Sequence, residues 1–448
     1  MMSGLHGVVD EIITKIRAGR LTRRSFLERA VAVGLSSSAA VSLLEACGGT
    51  SNSTGGNGQT VNINYLQGDN SGVFRTLVSK FNAQNNGVHV TINTNSPQTT
   101  DQVLTLLTTM LRARGSSIDV FPMDIIWPAE FGANGWTIPL DDKWPASERA
   151  KYLPGPIQGC TYQGKLWAAP YYTDAGLIYY RTDMIKTPPT TYDELVSMSK
   201  AAAPSKAKFG YLWQGAQYEG LVCDFVEVLY GHGGSVLDPN DAKKVTINSP
   251  EAVAALTLMT NWIGTISPQA VTTYKEEDSR SAWQDGDSVF MRNWPYAYSL
   301  GNDPTKSKIA GKYDVHPMLS SSSSTTGHSC LGGWQLGINA FSKEPDAAWK
   351  FVHFMLSLES QKALATVASL FATHKSIYSD PDVLAKVPFF GKMQPVLQAA
   401  QPRPVSPVYP DISDAIQQRV HEALTKQTTP AAALSQLQSD LQTIVNKA

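Results

Sequence analysis

The chain has 448 residues, with 37 Lys and Arg against 38 Asp and Glu and a formal net charge of −1. That balance, without any basic stripe, excludes a nucleic-acid partner held through phosphate contacts. Four cysteines exclude a disulfide scaffold, and the length allows roughly two or three lobes.

Leu5, Val8, Val9, Ile12, Ile13 and Ile16 repeat at helical spacing and predict a short amphipathic helix. Thr22-Arg23-Arg24-Ser25-Phe26-Leu27 follows, a twin-arginine export signal. Ala30 to Leu44 is small and apolar but too short for a permanent span, which needs about 20 residues. Leu44-Glu45-Ala46-Cys47 reads as a lipobox, although glutamate is unusual at its second position. Residues 1–46 are therefore expected to be a cleaved signal peptide, with Cys47 lipidated and the chain anchored to the outer face of a membrane. An ordinary signal followed by an incidental thiol is the alternative. Residues 47–60, rich in Gly, Ser and Asn, suit a flexible tether. Export in the folded state means that Cys160, Cys223 and Cys330 meet reducing cytosol first, so buried thiols are expected.

Beyond the tether, Val61, Ile63 and Tyr65 alternate as a strand. Val73, Phe74, Leu77, Val78 and Phe81 fall at helical spacing, and Val88, Val90 and Ile92 alternate again. This β-α-β unit predicts a parallel pair and an α/β fold. Leu104, Leu107 and Leu111 mark a second helix, and 118–126 a strand containing Asp119 and Asp124. Tyr162-Gln163-Gly164-Lys165 reads as a turn, followed by an extended stretch over 168–180. Thr191 and Glu194 form a capping box, and Ser249-Pro250 opens another helix. A strand over 334–340 precedes a helix including Ala347 to Leu356, and Leu434, Leu437, Leu441 and Ile444 predict a C-terminal helix.

Neither a phosphate loop, a nucleophile elbow nor a histidine metal pair occurs in the sequence, which argues against an enzyme and implies no metal or cofactor. The chain has ten Trp, the first of them Trp127, and 17 Tyr, and several of these rings lie beside carboxylates or Gly-Pro turns, where they could line a groove.

Met123-Asp124-Ile125-Ile126-Trp127, Gly135-Trp136-Thr137-Ile138-Pro139-Leu140 and the run from Tyr162 to Pro170 occur in order. They are followed by Tyr179-Tyr180-Arg181, Asn293-Trp294-Pro295-Tyr296-Ala297, Gly332-Gly333-Trp334 and Arg403-Pro404. Together they resemble the extracytoplasmic sugar-binding proteins of ABC importers, in the maltose-binding group, and most of all the trehalose/maltose-binding lipoproteins. The resemblance implies two α/β lobes with a hinge and an interlobe ligand cleft. Mapped here, the first lobe is 61–171 with 330–372, and the second is 172–329 with 373–448. It implies an α-linked disaccharide as ligand, trehalose or maltose favoured, an ABC permease as partner, and a monomer without cofactor.

The resemblance also implies the binding residues. A pyranose offers hydroxyl pairs to carboxylates and arginine, and apolar faces to aromatic rings. Asp124, Asp174, Glu277 and Arg403 match polar positions, Trp294 a stacking ring, and Gly333 a close backbone approach. Glu276 could replace Glu277, and Tyr296 is the alternative ring. Turn capping at the strand end is the lesser alternative for Asp124. Asp69 and Asn70 follow the first strand, where polar ligand contacts are expected. Asp101 is a third early candidate, with helix capping an equal reading. Another sugar, polyol or oligosaccharide remains open as ligand. A secreted glycoside hydrolase is the rival, and would need two carboxyls about 5–10 Å apart across one bond.

Overall fold

A computed structural model describes residues 60–447, except 69, 70, 98, 239 and 240. The twin-arginine motif, Cys47, Asp69 and Asn70 lie outside the described residues. The chain divides into two units. One takes the chain up to Pro122 with Asn134–Pro139 and Leu336–Met355, and the other takes Met123–Ala133, Leu140–Gln335 and Leu356–Ala448.

The first unit carries the expected β-α-β pattern. β1 (Val61–Leu66) buries Ile63 and Tyr65, and α1 (Val73–Ala83) buries Val73, Phe74, Leu77, Val78 and Phe81. β2 (Val88–Asn93) pairs in parallel with β1, from Val61 opposite Val88 to Leu66 opposite Asn93. Asn82 secures the helix to the strand: its Nδ2 donates to Val90 O at 3.0 Å and its Oδ1 accepts from Val90 N–H at 2.8 Å. α2 (Thr100–Arg112) follows, with Asp101 in its first turn. β3 (Val120–Asp124) is buried throughout and starts parallel to β1, Val120 opposite Tyr65. Asp119, just before it, accepts from Asn64 N–H and from the Ser342 hydroxyl. Phe351, on the helix Pro345–Leu356, packs edge-on to Tyr65 at 5.0 Å.

The second unit is built on β4 (Ala169–Ala175), β5 (Leu177–Arg181), β6 (Phe209–Leu212), β7 (Ser288–Asn293) and β8 (Tyr313–His316). The last four form a sheet in the order β8-β5-β7-β6. β5 is antiparallel to β8 and β7, and β7 is parallel to β6. α3 (Tyr192–Lys206) opens with the expected capping box, Glu194 N–H donating to Thr191 Oγ1 and Thr191 N–H to Glu194 Oε2. The turn at Gln163-Gly164 has both φ values positive, as a two-residue hairpin demands, between the strands Thr161–Tyr162 and Lys165–Leu166.

α4 (Glu219–Gly231) is the least typical element. All 13 of its residues are buried, so it is a central helix with no solvent face. Its three carboxylates, Glu219, Asp224 and Glu227, must therefore find partners inside the protein. α5 (Pro250–Trp262) starts as predicted, with Ala252 N–H donating to the Ser249 hydroxyl. α6 (Glu276–Gln284) precedes β7. The chain ends with α7 (Tyr409–Leu424) and α8 (Pro430–Val445), which pack on one another, with Leu434, Leu437 and Leu441 buried. β9 runs Leu331–Ile338, three residues earlier than the 334–340 expected, because Leu331, Gly332 and Gly333 are already extended and buried. Cys160, Cys223 and Cys330 are buried free thiols, as expected.

On α7, burial, then the neighbouring carboxylates Asp411 and Glu219, raise Asp414 to about 6. The raised value means that the folded state holds this proton more tightly than the unfolded chain. Stability is therefore lost as pH rises from the unfolded value towards 6, and the full penalty is present above it. Asp414→Asn is expected to stabilise the protein at pH 7.5 by about 1 kcal/mol, allowing for its partial exposure, and to change nothing at pH 4. Urea midpoints at both values check this; equal gains at the two would rule out the ionisation as the cause.

Candidate functional site

The second unit gathers most of the sequence-derived candidates. Asp124 stands at the end of β3, where Ile126 N–H donates to its Oδ1 at 3.3 Å, so the turn-capping reading holds. The same oxygen accepts from Arg403 Nη2 at 2.9 Å. Arg403 is therefore no exposed arginine. It is 3% exposed, and its Nη1 donates to Glu219 Oε1 at 2.6 Å, while its Nε has no hydrogen-bond partner among the described residues. Glu219 also accepts from Tyr409 Oη at 2.6 Å and from the Ser413 hydroxyl. Two buried carboxylates thus share one guanidinium, and the hydroxyls of Tyr409 and Ser413 complete the partners of Glu219.

Asp174 is carried near the end of β4. A methyl group on Gly332 would lie 3.2 Å from Asp174 Cβ and 3.1 Å from Trp294 Cζ3, so that glycine separates the acid from the ring. Asp174 is buried, and its Oδ1 has no hydrogen-bond partner among the described residues. Burial and then the Asp124 charge hold its carboxyl well above the usual range, against the pull of Arg292.

Trp294 follows β7 and is half-buried. The Arg292 guanidinium lies 4.0 Å from its ring centroid, so a cation backs one face. Its Nε1 donates to Glu276 Oε1 at 3.4 Å, and Tyr218 Oη donates to Glu276 Oε2 at 2.7 Å. Glu277 is engaged differently: it accepts from Tyr296 Oη at 2.7 Å and pairs with Arg280. Glu276 is thus the acid that touches Trp294, and Glu277 the one that touches Tyr296. Gly333 has φ +114°, and its carbonyl accepts from Ile125 N–H at 3.1 Å. A methyl group there would stand 2.5 Å from Thr173 Cα and 2.7 Å from Tyr172 O, so the glycine permits the close approach of β9 beside β4. Asp101 belongs to the first unit, half-buried in α2. The structure therefore brings together Asp124, Asp174, Trp294, Gly333 and Arg403, with Glu276, Glu277 and Tyr296 beside the ring.

Sequence reasoning missed Glu219, Glu227 and Arg292. The available signal was three acids in an otherwise apolar 13-residue run, which call for a buried cation. Arg403 also lines a cavity of about 620 Å³ in this unit, walled largely by aliphatic and proline side chains such as Ile125, Leu153, Pro156, Leu331 and Pro402. Trp294 and Asp174 do not line it, and its polar lining comes from Gln158, Thr161, Thr173, Gln398 and Arg403. Among the described residues no cluster of His, Cys, Asp and Glu is arranged to hold a metal ion, and no helix is long and apolar enough to cross a membrane.

Residues 67–362 match the family described as bacterial extracellular solute-binding protein. A probable ABC transporter-binding protein of Deinococcus radiodurans is 41% identical over 359 residues, 77% of this chain and 84% of that one. The solved structure of maltose-bound MalE3 from T. maritima has a TM-score of 0.81 at 39% identity, covering 86% of this chain and 99% of that chain. An ABC transporter solute-binding protein from Agrobacterium radiobacter K84, in complex with ribitol, has a TM-score of 0.76 at 25% identity, with coverages of 86% and 99%.

Proposed function

The chain belongs to the bacterial extracellular solute-binding proteins, the sugar-binding receptors of ABC importers in the maltose-binding group, and on that premise we propose that it captures an α-linked disaccharide, trehalose or maltose, for delivery to a permease. Membership places it among binding proteins and sets aside the glycoside hydrolase. The observation that carries the ligand reading is the half-buried Trp294, backed by Arg292 and flanked by the acid Asp174 with an unpaired oxygen. A pyranose face stacks on such a ring while its rim hydroxyls satisfy the acid and the neighbouring Asp124 and Arg403. The maltose-bound relative supports this choice.

The lobes follow the same proposal: 61–171 with 330–372, and 172–329 with 373–448, close on the sugar by hinge bending. Cys47 holds the exported monomer at the membrane, and a shift to the aqueous phase in Cys47→Ala would support that. Polyols are the second reading, favoured by the ribitol-bound relative.

Isothermal titration of the full chain against trehalose, maltose, glucose, sucrose, ribitol and mannitol decides between them. One-to-one binding of trehalose or maltose at micromolar Kd or tighter, with the sugar recovered unchanged, is expected. Heat from ribitol or mannitol alone would transfer the site to polyols, and silence across the panel would overturn the reading.

A further inference from the structure

From the sheet of the second unit we infer that Arg292 is a positioning residue for ligand recognition, held by Glu227 so that its guanidinium plane fixes the Trp294 ring. The inference rests on the sugar reading of Trp294.

Arg292 is 1% exposed on β7. Glu227 grips it through two parallel bonds, Nε to Oε2 at 2.8 Å and Nη2 to Oε1 at 2.8 Å. Nη1 donates to Gln214 Oε1 at 3.0 Å. Gln214 is fixed in turn, because its Nε2 donates to the Ser279 hydroxyl and to Arg292 O. Asp224 Oδ1 lies 2.8 Å from Arg292 Nε and its Oδ2 accepts from Gln214 N–H. Each of the three guanidinium nitrogens is therefore held, which fixes the plane and presents its flat face to Trp294, whose ring centroid lies 4.0 Å away. A planar fork can be clamped in this way, whereas an ammonium is a point charge that fixes no plane.

The clamp also reaches the chain that carries the binding glycines. Glu227 Oε1 accepts a further hydrogen bond, from Cys330 N–H at 3.0 Å. Ser329 Oγ donates to Gly176 O at 2.8 Å, two residues from Asp174. Leu331 N–H donates to Gln401 O and Gln401 N–H to Ser329 O, two residues from Arg403. One buried carboxylate thus sets the ring and steadies the segment that leads to Gly332 and Gly333. Packing alone could have backed Trp294 with an aliphatic residue; a desolvated arginine held through all three of its nitrogens is a costlier choice that also fixes orientation.

The test is a double-mutant cycle in the full chain, using Arg292→Lys and Trp294→Leu, with titration of trehalose and maltose and tryptophan emission as readouts. Arg292→Lys keeps the charge and loses the fork. It is expected to weaken binding at least tenfold and to change the ligand-induced emission shift. In the Trp294→Leu background the same substitution should cost less than twofold, because the ring through which it acts is gone. Equal losses in both backgrounds would show a purely structural role and overturn the inference. Unchanged affinity and emission in Arg292→Lys would do the same. Should Arg292→Lys fail to fold, Gln214→Glu, which keeps an acceptor for Nη1 but loses the amide donors to the Ser279 hydroxyl and Arg292 O, enters the same cycle with about a threefold loss expected. Wild-type protein that binds neither sugar overturns the sugar reading and this inference together, which distinguishes that failure from a failure of Arg292 alone.

Discussion

Replacing Arg403 by methionine is expected to destabilise the protein by about 3–5 kcal/mol, among the largest losses available from one side chain. Arg403 neutralises Asp124 and Glu219 at once, at 2.9 and 2.6 Å, in a place closed to solvent. Methionine fills similar space without a charge and strands two buried carboxylates. The hydroxyls of Tyr409 and Ser413 stay on Glu219 but bring no positive charge. The stranded acids will bind protons more tightly in the folded variant than in its unfolded chain. The deficit should therefore be full at pH 7.5 and shrink as pH falls towards 4. Adding Glu219→Gln should restore part of the loss at pH 7.5. Denaturant midpoints of the single and double variants measure it, and a pH-independent deficit would point to lost packing instead.

Gly333→Ala is expected to damage stability and binding together. The backbone at φ +114° is nearly closed to a residue with a Cβ, at a cost of about 1–3 kcal/mol. The new carbon would also meet Thr173 Cα at 2.5 Å and Asp174 N at 3.0 Å, both backbone atoms that yield only if β4 moves. Moving β4 moves Asp174, so sugar affinity should fall at least tenfold beyond any loss of folded protein. Gly332→Ala is a milder neighbour, because its φ is not strained and its contacts, Trp294 and Asp174 Cβ at 3.1–3.2 Å, belong to side chains. Titration of the folded fraction separates the two effects; an alanine at 333 with native midpoint and affinity would sink the close-approach argument.

Elements whose burial has a period were legible in the sequence. Val61, Ile63 and Tyr65 alternate because one face of β1 meets the core, and α1 shows its stripe because its other side is wet. The caps at Thr191 and Ser249 depend on local hydrogen bonds and stood where the residues put them. α4 had no readable face, because it is buried all round and its acids are answered from β7 and from the segment around Arg403. A partner 65 or 184 residues away leaves no local trace. For the same reason the pair Glu276-Glu277 could not be divided by sequence. Neighbours on one helix turn point to different rings, Glu276 to Trp294 and Glu277 to Tyr296. Asp124 showed both of its readings at once, turn cap and buried ion-pair partner.

The Asp124–Arg403 contact joins residues 279 apart, inside a unit drawn from three separate stretches of chain. Closing so long a loop costs entropy that only the finished contacts return, and structures rich in such contacts assemble slowly. On the ribosome, Glu219 emerges long before the arginine that neutralises it. Until residue 403 has left the exit tunnel, α4 holds an acid that the core has no means to accept. Competence to bind ligand therefore waits for the segment around residue 403, and a chain that stops short of it presents an open, unbalanced interior to chaperones and proteases.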